Sequence, residues 1–354
     1  MIEKEYGKHT EHNHNFYCKT VLRKNYFTET NCVNCLLPIN GDRDLVIGTD
    51  NGIYLVNQWP IDENIGPQLI IDTVGVTQID ILEEHRLFMI LSNGTLSSYP
   101  IEVLNASGDQ DLVSCEPQKV QDYVDFFKIG ISVGRHLVCS VNTSESSTEI
   151  RVFQPTDIFN RNGMRLALDS MGWRDGNTLN LFKVFHIPVE CWSVHFLRST
   201  LGIGCTKGFK IINLHTADIY PLLDPADKSL DFVSQNENLK PFHIEKMDNG
   251  RFLLCYNGFS MFVNRNGWLA HPDWKISWKG TPKSFSVSYP YILAFGLDLV
   301  EFWHIKTGKL LDTIVGHNIR MLHSRPGQTF YAFEDDGGED AVASLTFSAA
   351  SGPS

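Results

Sequence analysis

The stretch "LVIGTDNGIYLVN", Leu45–Asn57, has an echo in "LGIGCTKGFKIIN", Leu201–Asn213. Each is an apolar run, a short polar turn and a second apolar run, with Ile-Gly in the first arm and a second glycine after the turn. Glycines at such spacing raise a phosphate-loop reading. A dinucleotide loop, however, needs G-x-G-x-x-G between a strand and a helix. Gly202, Gly204 and Gly208 are spaced one residue too far apart, and "FKIIN" after them is a strand. No helix N-terminus is on offer to hold a phosphate. The motif is a β-hairpin whose glycine supplies backbone freedom at the turn.

The hairpin recurs. It returns as "RLFMILSNGTLSSYPI" from Arg86, "HLVCSVNTSESSTEIRVF" from His136 and "RFLLCYNGFSMFVN" from Arg251. "YILAFGLDLVEFWHI" from Tyr291 and "TFYAFEDDGGEDAVASLTF" from Thr329 bring the number to seven. A further strand precedes each: "CVNCLLPI", "VTQIDIL", "DFFKIGI", "CWSVHFL", "PFHIEKM", "SFSVSY" and "IRMLHS". Several hairpins are followed by another strand, such as "QLIIDTV" and "KLLDTIV". Four strands in ~40–50 residues are the signature of a propeller blade. Period-two alternation of β-branched and aromatic residues supports strands throughout. The expected fold is all-β, a seven-bladed β-propeller with about four strands per blade.

The last unit runs out of chain, because "SAASGPS" is too small and polar for a strand. "NFYCKTVLRK" near the start is a strand with no partner of its own. It is expected to supply the outer strand of the seventh blade and so remove an exposed sheet edge. The organisation that follows is a flexible tail over 1–15, one propeller domain over 16–347 and a second tail over 348–354. One connection, 154–181, is longer than the rest; "DIFNRNGMRLALDSM" within it predicts a short helix, weakened by Gly163. Long loops on a rigid scaffold often carry function.

Composition narrows the function. The 354 residues are 42% hydrophobic and 20% charged, ordinary for a folded chain, with a net charge of −11. A duplex nucleic acid is a poor partner for so acidic a protein. No apolar run approaches the roughly 20 residues that span a bilayer. The start, "MIEKEYGKHTEHNHNF", lacks the apolar core of a signal peptide. A soluble, cytoplasmic chain is expected, and the sequons at Asn93, Asn105 and Asn142 are then incidental. Basic residues cluster weakly, as Lys19, Arg23 and Lys24 and as Lys207 and Lys210, fewer than the roughly 4–8 that anionic lipid requires. Any membrane contact is expected to be peripheral.

No residue acquires a catalytic, cofactor-binding or metal-binding role. Cys32 and Cys35 form a lone C-x-x-C without the second pair that zinc needs. With Cys139, Cys191 and Cys255, inside apolar runs, they read as buried free thiols. "HTEHNH" (His9, His12, His14) sits in a polar terminal segment. "FEDDGGED" (Asp335, Asp336, Glu339, Asp340) reads as a solvated turn. Asp80, Asp125, His195 and His243 fall on or beside the first strands of blades. A hydrolase working in a propeller channel needs such groups, but there they more often satisfy backbone groups.

The whole chain, from about Tyr17 to Phe347, resembles a citron homology domain, most of all that of fungal Rho guanine-nucleotide exchange factors. The likeness is carried by "LVIGTDNGIYL" (Leu45–Leu55), "CWSVHFLRSTLGIGCTKGFKIINL" (Cys191–Leu214) and "LLDPADKSLDFV" (Leu222–Val233). "FLLCYNGFSMFVNRNGW" (Phe252–Trp268) and "SYPYILAF" (Ser288–Phe295) complete it. The resemblance implies a regulatory, protein-interaction module without enzyme activity or cofactor. It implies that exchange belongs to upstream Dbl and pleckstrin homology domains. The implied partner is a Rho-family small GTPase in fungal cell-wall integrity signalling, with the full-length protein recruited to the cell cortex. Upstream exchange-factor domains or receptor cytoplasmic tails are the alternative partners. The family supplies no motif of functional residues.

The residues themselves offer one candidate surface. "HTADIYPLLDPADKSLDF" sets Asp218, Asp224, Asp227 and Asp231 beside Leu222, Leu223 and Phe232. Leu223, Asp224, Asp227, Asp231 and Phe232 are the candidate partner-binding residues, an acidic and apolar set suited to a basic partner. The same stretch also suits an inter-blade connection that buries its own apolar side chains.

A hairpin role for the glycines makes a prediction. Gly52→Val should lower the stability of the domain by roughly 1–3 kcal/mol through backbone strain, read as an earlier thermal unfolding midpoint. An unchanged midpoint would return the glycine to a ligand-binding reading.

Overall fold

The computed structural model describes residues 16–22, 26–57, 66–105, 117–156, 178–206, 208–236, 238–247 and 250–347. The expected tails over 1–15 and 348–354, and the helix expected within 157–171, lie outside these residues.

Seven four-stranded antiparallel sheets form the seven blades of a propeller. In blade one the strands run Val33–Ile39, Asp44–Thr49, Gly52–Val56 and Gln68–Ile71, in that spatial order. Blades two to six repeat this meander, starting at Val76, Phe126, Cys191, Pro241 and Ser284. The first strand of each blade packs against the first strands of its two neighbours, so these strands ring the axis. Blade seven takes His317–Arg325, Gln328–Glu334 and Asp340–Phe347 from the end of the chain. Its outer strand is Phe16–Leu22, paired antiparallel with Phe16 opposite Phe347. The N-terminal strand therefore closes the last blade, as the orphan "NFYCKTVLRK" implies.

Seven apolar clusters fill the junctions, one between each pair of adjacent blades. Each sheet is thus covered on both faces. This explains a departure from the expected alternation. The second strands are apolar at nearly every position: Leu45–Thr49, Leu87–Leu91 and Leu137–Val141 are buried without a break. A strand with two buried faces has no reason to alternate. The Ile-Gly motif has its cause here too. A Cβ on Gly48 would sit 2.5 Å from Cys35 Sγ and 2.7 Å from Val76 Cγ1, and one on Gly204 would collide with the Pro241 carbonyl. The second strand presses on the first strands of its own and the next blade, and only glycine leaves room. Gly52 opens the third strand at φ 155°, where a Cβ would lie 2.6 Å from Leu69 Cδ1 and 2.9 Å from the Ile71 carbonyl oxygen.

Asp340 is not in the solvated turn that "FEDDGGED" suggests. It is the first residue of its strand and is buried. Its Oδ2 accepts from the Val33 amide at 2.7 Å and from Arg320 Nη2 at 2.5 Å, while Arg320 Nε donates to the Val33 carbonyl at 3.3 Å. Two residues of blade seven thereby clamp the first residue of blade one. The thiols also divide. Cys35 is buried and its pKa is pushed up to about 12 by desolvation. Cys32 lies just ahead of the strand, half-buried, its thiol directed at the Thr28 and Glu29 carbonyls.

Removing one partner of a buried, hydrogen-bonded ion pair strands the other. Asp340→Ala should cost roughly 3 kcal/mol, seen as a lower denaturant midpoint. A midpoint equal to wild type would mean that strand pairing alone closes the ring.

Candidate functional site

The chain from Ile219 to Lys240 joins blade four to blade five. The outer strand of blade four, Ile219–Pro221, is only three residues long, and that of blade five, Ile276–Ser277, only two. The intervening segment covers what these short strands leave open. Leu222, Leu230, Val233 and Leu239 are buried in one cluster with Phe209 and Ile211 of blade four and with Leu254, Tyr256, Phe259 and Met261 of blade five. Leu223 packs against the same cluster, partly buried. Lys228–Leu230 form a single 3-10 turn and Asp231–Ser234 a single helical turn.

Two of the predicted acids are occupied in holding this segment. Asp224 Oδ2 accepts from the Trp268 indole N–H at 2.9 Å, and Oδ1 accepts from the Ala226 amide at 2.9 Å. Asp227 caps the 3-10 turn: Oδ1 accepts from the Ser229 hydroxyl at 2.6 Å and amide at 3.0 Å, and Oδ2 accepts from the Leu269 amide at 2.8 Å. The Ser229 hydroxyl, then the Leu269 amide, hold the Asp227 carboxyl below the usual carboxylate range. Gly267 permits the approach, because at φ 81° a Cβ there would collide with the Leu222 carbonyl. Asp218 accepts from the Thr216 hydroxyl in the preceding turn, away from this bracket.

Asp231 and Phe232 remain at the surface. Asp231 opens the helical turn, and among the described residues its carboxylate enters none of these bonds. Phe232 is 40% exposed, its ring 5.5 Å from that of Phe259. The Lys275 ammonium lies 4.3 Å over Phe259 and 5.2 Å over Phe232. Phe209, Tyr256, Phe259 and Phe232 thus form a ladder of rings from the core to the surface. Trp268, Tyr220 and Ile219 add exposed apolar area along the same junction. Trp268 and Lys275 carry no signal at the candidate stretch itself. The hint is "NRNGW", whose glycine marks a close approach.

Asp80 Oδ1 accepts from its neighbour's amide, Ile81, at 2.8 Å, and Asp125 Oδ2 from Thr143 at 2.6 Å. The His195 ring stands 5.2 Å from that of His243 at 90°, and His195 Nε2 is buried without a hydrogen-bond partner among the described residues. His243 Nε2 is 3.2 Å from Glu245 Oε2. Burial, then His243 and Lys128, hold His195 well below the ordinary histidine pKa. Burial, then Arg325 and Lys128, bring His323 down to about 4. Among the described residues no three His, Cys, Asp or Glu side chains are grouped to hold a metal ion. Nor is any described helix long and apolar enough to cross a membrane.

The CNH domain family matches residues 41–325. The chain belongs to that family. It is 36% identical to Rho1 guanine nucleotide exchange factor 1 of Schizosaccharomyces pombe over 96% of its own length and 26% of that protein's. It is 32% identical to RHO1 GDP-GTP exchange protein 2 of Saccharomyces cerevisiae over 93% of its length and 24% of that protein's. This CNH domain therefore spans about a quarter of the curated relatives it matches. Among solved structures, the AfRom2 CNH domain aligns at a TM-score of 0.84 with 49% identity, covering 94% of this chain and all of that one. Sqt1 of Saccharomyces cerevisiae, at 12% identity and a TM-score of 0.51, shares the fold alone.

The two neutral histidines set a pH dependence. Both have folded pKa values below the unfolded value of about 6.5, so the unfolded chain binds more protons as pH falls. Stability should fall from about pH 6.5 downwards, for His323 until about pH 4, by at most about 1.4 kcal/mol per pH unit for each group. Melting points across this range test it. His323→Gln should flatten the slope, and an unaltered slope would show that His323 does not carry it.

Proposed function

We propose that this CNH domain is a non-catalytic regulatory and interaction module of a Rho guanine-nucleotide exchange factor. We propose further that the blade four–blade five junction docks a Rho-type small GTPase. The observation that carries the surface is the rigid bracket of Asp224 and Asp227 on Trp268 and Leu269. It holds Phe232, Trp268 and Asp231 at the surface of a packed core. Exposed aromatics on a pre-ordered scaffold are the usual anchors of an interface, and acids beside them favour a basic partner. In this reading Asp224 and Asp227 position the surface, while Asp231, Phe232 and Trp268 meet the partner. Leu223 supports them from beneath.

Support for the GTPase is the kinship with proteins named as Rho1 exchange factors. We place the exchange chemistry in the remaining three quarters of such chains. The setting we infer is fungal cell-wall integrity signalling at the cell cortex, in a cytoplasmic protein. A second reading, intramolecular contact with upstream exchange-factor domains, draws on the same fact that this domain is one part of a longer chain in its relatives. Receptor cytoplasmic tails would be bound in the same manner.

The test is calorimetric titration of the domain with a Rho GTPase in the GDP, GTP-analogue and nucleotide-free states. The double variant Asp231→Lys/Phe232→Ala should weaken binding by at least about tenfold, the scale of losing an interface anchor. Equal affinity for variant and wild type would remove this surface. Failure to bind in all three states would shift the proposal to the intramolecular or receptor-tail partner.

A further inference from the structure

The propeller carries a ring of arginines on one face. Arg43, Arg86, Arg135, Arg198, Arg251 and Arg325 stand at or beside the turn from first to second strand, one in every blade but the sixth. These turns are linked side by side. The Arg325 guanidinium of blade seven pairs with Asp42 of blade one. His136 of blade three meets Glu84 of blade two at 2.9 Å. The Val133 amide of blade three donates to the Arg198 carbonyl of blade four at 3.0 Å, and the Gly327 amide of blade seven to Ser288 Oγ of blade six at 3.0 Å. Six arginines therefore lie on one face of the propeller, with Arg135 turned outward so that its Nη1 donates to Gln154 Oε1 at 2.8 Å and its guanidinium lies 5.8 Å from the Phe182 ring centre.

Part of that charge is balanced locally. Glu102 takes Arg86 at 2.6 Å and Asp42 takes Arg325. Arg43, Arg135 and Arg198 are exposed and, among the described residues, have no carboxylate partner. Lys246 and Lys306 add exposed positive charge on the same side. Two large apolar side chains stand among these cations: Ile131, 58% exposed, and Tyr289, 57% exposed with the Lys306 ammonium 5.6 Å from its ring centre. The opposite turns, from second to third strand, carry Asp50, Glu145, Asp298, Asp335 and Asp336. The arginine-bearing turns also hold Asp44, Glu83 and Glu84, and Asp218 lies on the same side, so the net charge of −11 is divided only in part between the two faces.

We propose that the arginine-bearing face is a docking surface for an anionic membrane. Exposed cations with an aromatic and an aliphatic side chain between them match the headgroup layer of an acidic bilayer. Phosphates and carboxylates there meet the cations, and a tyrosine rests at the interface. The acidic face then points away from the surface, so repulsion by the net charge is spread over the far side of the molecule.

Co-sedimentation of the full chain with phosphatidylcholine vesicles, with and without phosphatidylserine, tests the proposal. Wild type should pellet only with phosphatidylserine, and less so as salt shortens the screening length. Arg43→Glu/Arg135→Glu/Arg198→Glu should weaken partitioning by at least about tenfold, with a wild-type melting curve as the check on folding. The triple lysine variant at these positions should retain binding, because the bilayer reads charge and not a guanidinium fork. Asp298→Lys, which changes net charge on the other face, should leave binding unchanged. Absence of wild-type binding, or equal partitioning of the glutamate variant, overturns the proposal. So does competition by soluble glycerophosphoserine, which would mark a headgroup pocket. Arginine-dependent binding of polyglutamate without vesicle binding would reassign the face to an acidic protein segment.

Discussion

Ring closure is the constraint on which this structure depends. A blade is a twisted sheet with two apolar faces, and it is stable only between two neighbours. Six junctions form between units adjacent in sequence. The seventh must bring the two ends of the domain together, across a separation of 307 residues between Val33 and Asp340. Two devices serve it. The strand Phe16–Leu22 completes the last blade by main-chain pairing. Asp340 and Arg320 then grip the first residue of blade one through both its amide and its carbonyl. The charge pair is directional, so it sets the register of blade seven against blade one, which apolar contact alone does not.

The junctions also govern the local sequence. Second strands lose their alternation because each is covered on both sides. Their glycines follow from the same pressure: Gly48 and Gly204 occupy corresponding places where the next blade begins, and there a side chain would meet Val76 or the Pro241 carbonyl. A motif that resembles a phosphate loop is thus the footprint of close packing between sheets. The shape of the domain says little of its function, since propellers serve many. Function has to be read from what the faces and junctions display. Here one junction shows aromatic rings beside acids, and one face carries six arginines.

Much of this is legible in the residues alone. The seven hairpins, their preceding strands and the orphan N-terminal strand define the architecture, because hairpin turns and apolar runs are local signals. The division of labour within the candidate stretch is not legible. Asp224, Asp227 and Asp231 look alike in sequence. Two of them are spent on Trp268 and Leu269, some forty residues away, and one is not. Asp340 likewise reads as one more acid in a polar turn, yet it is buried against Arg320 and Val33.

The amino-acid order by itself determined the blade, the number of blades and the way the ring closes, each written in neighbours a few residues apart. Tertiary structure alone decided which acids are structural and which face outward, which histidines are held neutral, and that six separate arginines come to one face. The physical reason is range. Strand and turn propensities act between residues close in the chain, whereas hydrogen-bond partners, desolvation and charge fields depend on distance in space, which only the closed ring sets.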